Sequence, residues 1–98
     1  MLHEKRKNLS NKTLDLKRAI DSLKEELEAV DWYNQRADAC QDENLKKILL
    51  HNAKEEKEHA AMLIEWLNQN DQEFAKELKD YLFSQKDDIA DIEEQQDS

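Results

Sequence analysis

The chain of 98 residues contains no glycine and no proline. Both residues punctuate turns and strand-rich folds, so their absence favours helices joined by short polar links. Without glycine, a loop of the kind that cradles a phosphate group is not expected. The single cysteine, Cys40, excludes a disulfide within the chain and fits the reducing environment of the cytoplasm.

Long apolar runs are also missing. No window approaches the roughly 18 apolar residues of a membrane-spanning helix, and the basic start, 1–7, is not followed by the apolar run of a signal peptide. Acidic residues outnumber basic ones, 24 to 15, so the formal net charge is -9. Because nucleic acids and anionic membranes are themselves negative, this balance argues against either as a partner. It is compatible with collecting cations.

Apolar residues recur at the spacings of amphipathic helices. The pattern predicts an all-α chain with helices over 10–39, 43–69 and 71–83, within one domain, 1–98. A short polar link makes the two long helices antiparallel neighbours, so the predicted fold is a two-helix hairpin plus a short C-terminal helix. The acidic end, 85–98, loses the periodicity, which predicts a flexible or weakly helical tail. The apolar stripe of the first helix consists of Leu16, Ile20, Leu23, Leu27 and Val30.

Glu56 and His59 lie three residues apart within the apolar pattern of the second helix. Residues three apart are neighbours on one face of a helix, and a carboxylate on an apolar face is costly unless something compensates it. A carboxylate and an imidazole together suit iron, manganese or zinc. The alternative is that Glu56 pairs with a cationic side chain and His59 is an interface histidine with satisfied hydrogen bonds.

Glu26 lies on the edge of the apolar face of the first helix. In an antiparallel hairpin it would approach Glu56 and His59 at the same height, unless it only reaches solvent along its aliphatic stem. A ferritin-type di-iron centre needs two Glu-x-x-His helices and two further helices that each give a glutamate. The chain holds half of that set. A two-fold homodimer would supply the other half and complete a ferritin-like four-helix bundle.

Glu25 and Glu28 share a side of the first helix with Trp32, opposite the leucine stripe. A tryptophan there suggests a second interface, and the two glutamates beside it could attract or relay cations. The alternative is a solvated acidic face. Tyr33 is near the Glu26 face, where it either hydrogen-bonds a ligand or packs with its hydroxyl at the rim of an interface.

His51, Glu55 and Glu58 follow a spacing of four and three on the outer side of the second helix. This spacing brings the three side chains close enough to hold a metal ion on the surface of the protein. The alternative is that they are exposed residues supported by pairing with Lys47 and other nearby lysines, four positions apart.

Three stretches of the sequence together resemble the encapsulated ferritins, ferritin-like proteins that are the cargo of encapsulin nanocompartments. They are EELEAVDWY at 25–33, HNAKEEKEHAAMLIEWL at 51–67 and YLF at 81–83. Each stretch is unspecific alone, and the combination is specific. The resemblance covers the chain from the first to the third helix, and it implies a ferroxidase that oxidises Fe(II) to Fe(III) for storage inside the shell.

The resemblance also implies an assembly around the iron centre. Glu26, Glu56 and His59 would bind a pair of irons at each dimer interface, with Tyr33 close to the centre. The dimers would form a ring, typically a decamer. Such a ring lacks the hollow cage of a true ferritin, so it would rely on an encapsulin shell in the cytoplasm to hold the mineral.

Two further metal sites are implied by the same resemblance. Glu25, Glu28 and Trp32 would form an acidic entrance site for iron, where other divalent cations such as calcium would also bind. An outer metal site would consist of His51, Glu55 and Glu58.

One feature of the sequence departs from the family. Cargo proteins of this type carry a C-terminal targeting peptide with small, apolar and basic residues, whereas 87–98 is acidic. The chain is therefore truncated, or is targeted differently, or is not encapsulated. Two other functions also stay open, namely a structural helical hairpin or adaptor without catalysis, and another di-metal oxidase on the same scaffold.

Overall fold

The computed structural model describes residues 1–85 and 87–97, and their side chains as far as Glu93. Every regular element in this part of the chain is helical, which confirms the predicted all-α class. A 3-10 turn, Arg6–Asn8, precedes four helices, α1 (Asn11–Ala39), α2 (Glu43–Asn70), α3 (Gln72–Tyr81) and α4 (Ala90–Asp97). None of the described helices is both long and apolar enough to cross a membrane.

Polar side chains fix where the first three helices begin. Ser10 Oγ accepts a hydrogen bond from the Thr13 backbone N–H at 3.1 Å. Asp42 Oδ1 accepts one from Leu45 N–H at 2.8 Å, and Asp71 Oδ1 accepts one from Phe74 N–H at 3.0 Å. Each bond satisfies a donor that the first turn of a helix leaves without an intrahelical partner.

Contacts divide the chain into two compact units, Met1–Trp66 and Leu67–Ser98, with the boundary inside α2. In the first unit, Glu26 lies beside His59, and Ala19 lines a cavity together with Trp66. Residue numbers that rise along α1 therefore fall along α2. The two helices run antiparallel in this unit, as the predicted hairpin requires.

The core of the first unit is built mainly from alanine. Its buried residues are Leu14, Ala19, Ala37, Ala53 and Ala60. The chain itself covers the predicted leucine stripe of α1 only in part: Leu16, Leu23 and Val30 are half-buried, whereas Ile20 is exposed and Leu27 is 53% exposed. At about 100° per residue, Leu27 lies about 80° around the helix from Ala19. Alanines thus line the seam between α1 and α2, and the exposed members of the stripe lie to one side of it.

The N-terminal segment lies against α1. A cavity of about 600 Å³ is lined by Leu2 and Leu9 from the segment and by Leu16 and Ile20 from the helix. The sequence analysis treated this start only as a basic stretch. Its two half-buried leucines explain why it associates with the apolar side of α1.

In the second unit, α3 contacts α4. The predicted third helix, 71–83, ends earlier, at Tyr81, because Phe83 adopts a left-handed conformation with φ of 62° that a right-handed helix cannot contain. The tail over 85–98, predicted as flexible or weakly helical, contains a helix over Ala90–Asp97. Burial of the Ile92 side chain stabilises this helix within the second unit. Positions 86 and 98 of the predicted tail lie outside the described residues.

We predict that Ser10→Ala lowers the free energy of unfolding by about 1 kcal/mol, the usual effect of losing an N-cap. The measurement is denaturant unfolding followed by circular dichroism at fixed protein concentration. Ser22→Ala, inside α1, is the matched control and should not destabilise, because alanine is the better helix former. Equal stability of Ser10→Ala and the parent protein would show that the cap contributes nothing.

Candidate metal centre

Three donor side chains meet at the seam between α1 and α2. Glu56 and His59 are one turn apart on α2 and so share a face of the helix. The antiparallel register brings Glu26, near the middle of α1, opposite them. His59 Nδ1 lies 3.5 Å from Glu26 Oε2 and 3.5 Å from Glu56 Oε2.

The spacing of the three donors suits a shared cation. One ligand atom from each side chain lies within 4.8 Å of the other two. Donors about 2.1 Å from one first-row metal ion are about 3.4 Å apart at the tetrahedral angle, close to the two distances measured from His59. Among the described residues, this is the one place where three or more metal-binding side chains converge in this way.

Glu26 carries the strongest indication that the group is made for a cation. Its Oε2 atom is buried and accepts no hydrogen bond of good geometry, although His59 Nδ1 is 3.5 Å away. The Glu26 and Glu56 side chains are each 24% exposed, and that of His59 is 46% exposed. A buried acceptor without a donor costs about 1–3 kcal/mol. A bound cation would remove that penalty.

The neighbouring Glu56 affects the protonation of Glu26. The pKa of Glu26 is raised, first because its protonated carboxyl group can hydrogen-bond to Glu56, and then because burial and the charge of Glu56 disfavour its ionised form. Burial alone would lower the pKa of His59, but the two carboxylates outweigh it and raise that pKa. Glu26 and His59 therefore hold protons more tightly than usual where a metal ion could replace them.

Tyr33 follows Glu26 by seven residues on α1. Seven residues are close to two turns, so Tyr33 returns to nearly the same face of the helix about 10 Å further along its axis. Its side chain is half-buried. Its ring centroid lies 5.6 Å from the guanidinium carbon of Arg36. Of the predicted proximity of Tyr33 to the centre, the structure shows that Tyr33 and Glu26 lie on nearly the same face of α1.

The predicted entrance residues lie on the surface of α1. Glu25 and Glu28 are exposed and one turn apart, and Trp32 is 49% exposed one turn further on. Their side chains are available to solvent and to a partner. Within the part of the chain that the structure describes, the two glutamates are not joined by a third metal-binding side chain.

The predicted outer site is only partly assembled. His51 Nε2 lies 3.5 Å from Glu55 Oε1. Glu58 is exposed one turn beyond Glu55 but does not join them in a three-donor group among the described residues. The pair alone offers two donors to an ion.

Arg36 was not singled out by the sequence analysis. Its guanidinium carbon lies 5.9 Å from the ring centroid of Trp32 and 5.6 Å from that of Tyr33, within the range of cation–π attraction. Its spacing in the sequence indicates this contact, because Arg36 follows Trp32 by four positions and Tyr33 by three, the separations of neighbours on one helix face. A search for ligands among acidic residues and histidines does not consider it.

We predict that Glu26→Gln stabilises the metal-free protein by about 1 kcal/mol at neutral pH, because a neutral amide ends the carboxylate repulsion. Because the pKa of Glu26 is raised in the folded protein, the folded protein binds this proton more tightly than the unfolded protein does. Ionisation of Glu26 therefore destabilises the fold as the pH rises from the unfolded pKa of about 4.5 through the raised pKa. The gain should shrink towards acid pH. Melting temperatures in chelator across this interval measure it.

The control for that prediction is Glu77→Gln, which neutralises an exposed glutamate of α3. It carries the same change of net charge away from the three donors and should give no pH-dependent gain. A Glu26→Gln variant that is less stable than the parent protein at neutral pH would contradict the repulsion.

Comparisons with known proteins point to one family. A curated "Encapsulated ferritin-like protein" of Rhodospirillum rubrum is 54% identical over 83 residues, 85% of this chain and 59% of that protein. A "Ferritin-like protein" of Thermotoga maritima is 50% identical over 93 residues, 95% of this chain and 81% of that protein. The chain thus spans little more than half of the length of the Rhodospirillum relative.

A solved structure agrees with these relatives. The crystal structure of protein ne0167 from Nitrosomonas europaea matches with a TM-score of 0.83 and 61% sequence identity, covering 87% of this chain and 93% of that one. The family model described as EncFtn-like matches residues 1–85. The resemblance noted from the sequence is confirmed, and the chain belongs to the EncFtn-like family, that of the encapsulated ferritin-like proteins.

Proposed function

We propose that the protein is a ferroxidase, with Fe(II) as its substrate, bound as a pair of ions where two copies of the chain meet. The observation that carries the proposal is the convergence of Glu26, Glu56 and His59, with one carboxylate oxygen buried and unpartnered. Two carboxylates and one imidazole are ligands that suit iron. Membership of the EncFtn-like family supports the same chemistry.

The number of donors supports a site shared between two copies. A ferritin-type centre takes four carboxylates and two histidines from four helices, whereas the converging group of one chain offers two carboxylates and one histidine. The sequence has no second Glu-x-x-His. A two-fold axis beside the centre doubles each donor and gives the full set.

The surface beside the donors supports the same arrangement. Leu27 is exposed next to Glu26, and Met62 is exposed one turn from His59. Exposed apolar side chains around a polar group are typical of an interface. A second copy placed over them would remove this apolar area from water and close the centre to bulk solvent.

The reaction is an electron transfer from iron to an oxidant. Each Fe(II) loses one electron to become Fe(III), and a pair of ions gives two electrons to dioxygen, which takes up two protons to form hydrogen peroxide. Peroxide could accept electrons in place of dioxygen. The protein's glutamates bind and orient the ions, and their hard anionic oxygens favour the ferric product. No proton transfer by Glu26, Glu56 or His59 is required.

The two peripheral groups fit a route for iron around this centre. Glu25 and Glu28 on the exposed side of α1 would attract Fe(II), and other divalent cations such as calcium, beside Trp32. His51 and Glu55, 3.5 Å apart, would bind an ion on the outer surface, with Glu58 completing the site by a change of rotamer. Tyr33 would act near the centre from the same face of α1 as Glu26.

The family also suggests where the protein works. We propose that its dimers assemble into a decameric ring and associate with an encapsulin shell in the cytoplasm, where the ferric product would be stored. The name of the Rhodospirillum relative, an encapsulated ferritin-like protein, supports the association with a shell.

We predict that Glu26→Ala, Glu56→Ala and His59→Ala each lower the initial rate of Fe(II) oxidation at least about ten-fold, since even residues that only orient metal ligands affect metalloenzymes by this much. The rate is followed by the absorbance of the ferric product after anaerobic protein and Fe(II) are mixed with air-saturated buffer. Glu77→Ala is the control, because this exposed residue of α3 lies outside the three donors.

The same experiment separates the alternatives. If the chain is a structural hairpin, all three variants oxidise iron no more slowly than the parent protein. If it is another di-metal oxidase, iron oxidation by the parent protein is no faster than in buffer, and a separate binding measurement shows that the three variants lose a redox-active metal such as manganese.

A further inference from the structure

Arg36 places a positive charge between two neighbouring aromatic rings. It follows Trp32 by four residues and Tyr33 by three, so its side chain lies one helical turn away from both. Its guanidinium carbon is 5.9 Å from the Trp32 centroid and 5.6 Å from the Tyr33 centroid. One cation thus contacts the only two adjacent aromatic residues in the sequence.

No carboxylate neutralises this charge within the described part of the chain. Arg36 takes part in none of the ion pairs found there. Asp31, the acidic residue just before Trp32, accepts a hydrogen bond from the Gln35 side chain at 3.0 Å. The guanidinium therefore acts on the two rings without an opposing charge beside it.

A cation over an aromatic ring opposes the loss of an electron from that ring. The ground-state ring attracts the cation through its negative π face. After a one-electron oxidation the ring carries positive charge, and the same contact becomes repulsive. Arg36 therefore favours the reduced form of both Trp32 and Tyr33.

The position of the rings gives this effect a use. Tyr33 shares a helix face with Glu26, about 10 Å along the axis. Trp32 is half-exposed and lines a notch of about 210 Å³ with Gln35 and Arg36. Tyrosine and tryptophan are the aromatic side chains that lose electrons most readily. Within about 10 Å along α1 of a centre that passes electrons to dioxygen or peroxide, both are at risk of oxidation in place of iron.

We propose that Arg36 protects Trp32 and Tyr33 from one-electron oxidation and so keeps Fe(II) the source of electrons. The origin of the oxidant rests on the proposed function, whereas the effect of Arg36 on the rings does not. In the step that is opposed, one electron passes from a ring to the oxidant, and the phenol or indole proton passes to water. Arg36 touches neither iron nor oxidant, and acts only through the two rings.

The test uses the iron-free protein and the azide radical, an uncharged one-electron oxidant that becomes azide anion. Mass spectrometry of peptides then gives the oxidised fraction at each aromatic position. We expect Arg36→Gln to raise oxidation at Trp32 and Tyr33 about two- to five-fold, the range that corresponds to an exposed cation–π contact. Arg36→Lys, which keeps a cation, should behave like the parent protein. Trp66 and Tyr81 are the internal references.

Three results would overturn the proposal. They are equal oxidation of Trp32 and Tyr33 in Arg36→Gln and the parent protein, equal sensitivity of Arg36→Lys and Arg36→Gln, and a parallel rise at Trp66 and Tyr81. The last would show that the substitution loosens the whole fold.

A second arm repeats the comparison during Fe(II) turnover in dioxygen. Arg36→Gln should accumulate oxidised Trp32 or Tyr33 that the parent protein does not. If the parent protein fails to oxidise iron, the proposed function fails while the azide result still decides the role of Arg36.

Discussion

Two carboxylates that face each other at the seam between α1 and α2 are the constraint on which the rest of the structure depends. Glu26 and Glu56 converge on His59, and one oxygen of Glu26 is buried without a hydrogen-bond donor. Without a cation, this arrangement opposes the packing of the two helices. With a cation, the repulsion becomes coordination. The seam would thus be least stable when empty, and metal binding would be coupled to the conformation of the hairpin.

The choice of core residues follows from the same seam. Ala19, Ala53 and Ala60 are buried there, and small side chains let two helices approach closely enough for glutamates on both to share one ion. The larger apolar residues lie beside the seam, where Leu27 and Met62 are exposed in the single chain. A single protomer leaves this apolar surface exposed and, if the proposed di-iron centre is right, supplies only half of its donors. A second copy over this face would cover the surface and supply the other half.

Much of this architecture can be predicted from the sequence because it is encoded locally. The amphipathic spacing gives α1 and α2, and Ser10, Asp42 and Asp71 fix their starts and that of α3 through bonds that span three residues. The convergence of the three donors follows from helical periodicity and an antiparallel turn. These features need no knowledge of distant contacts.

The remaining features depend on tertiary contacts or on surface residues. The α4 helix is held by burial of Ile92, and the acidic sequence left a flexible and a weakly helical tail both open. On α1, Ala19 was missed because leucines dominate a hydrophobic pattern even where they are exposed, as Leu27 is. Arg36 was missed because periodicity treats an exposed arginine as solvated, although its contacts with Trp32 and Tyr33 are local.

The central claim is that iron binds where two copies of the chain meet, and diffraction at the iron absorption edge tests it most directly. Crystals soaked with Fe(II) without oxygen would be measured on both sides of the edge. The account predicts a pair of anomalous peaks across a two-fold axis, each within coordination distance of Glu26, Glu56 and His59, with donors from both copies. Peaks coordinated wholly by single chains, or absent from these residues, would contradict it.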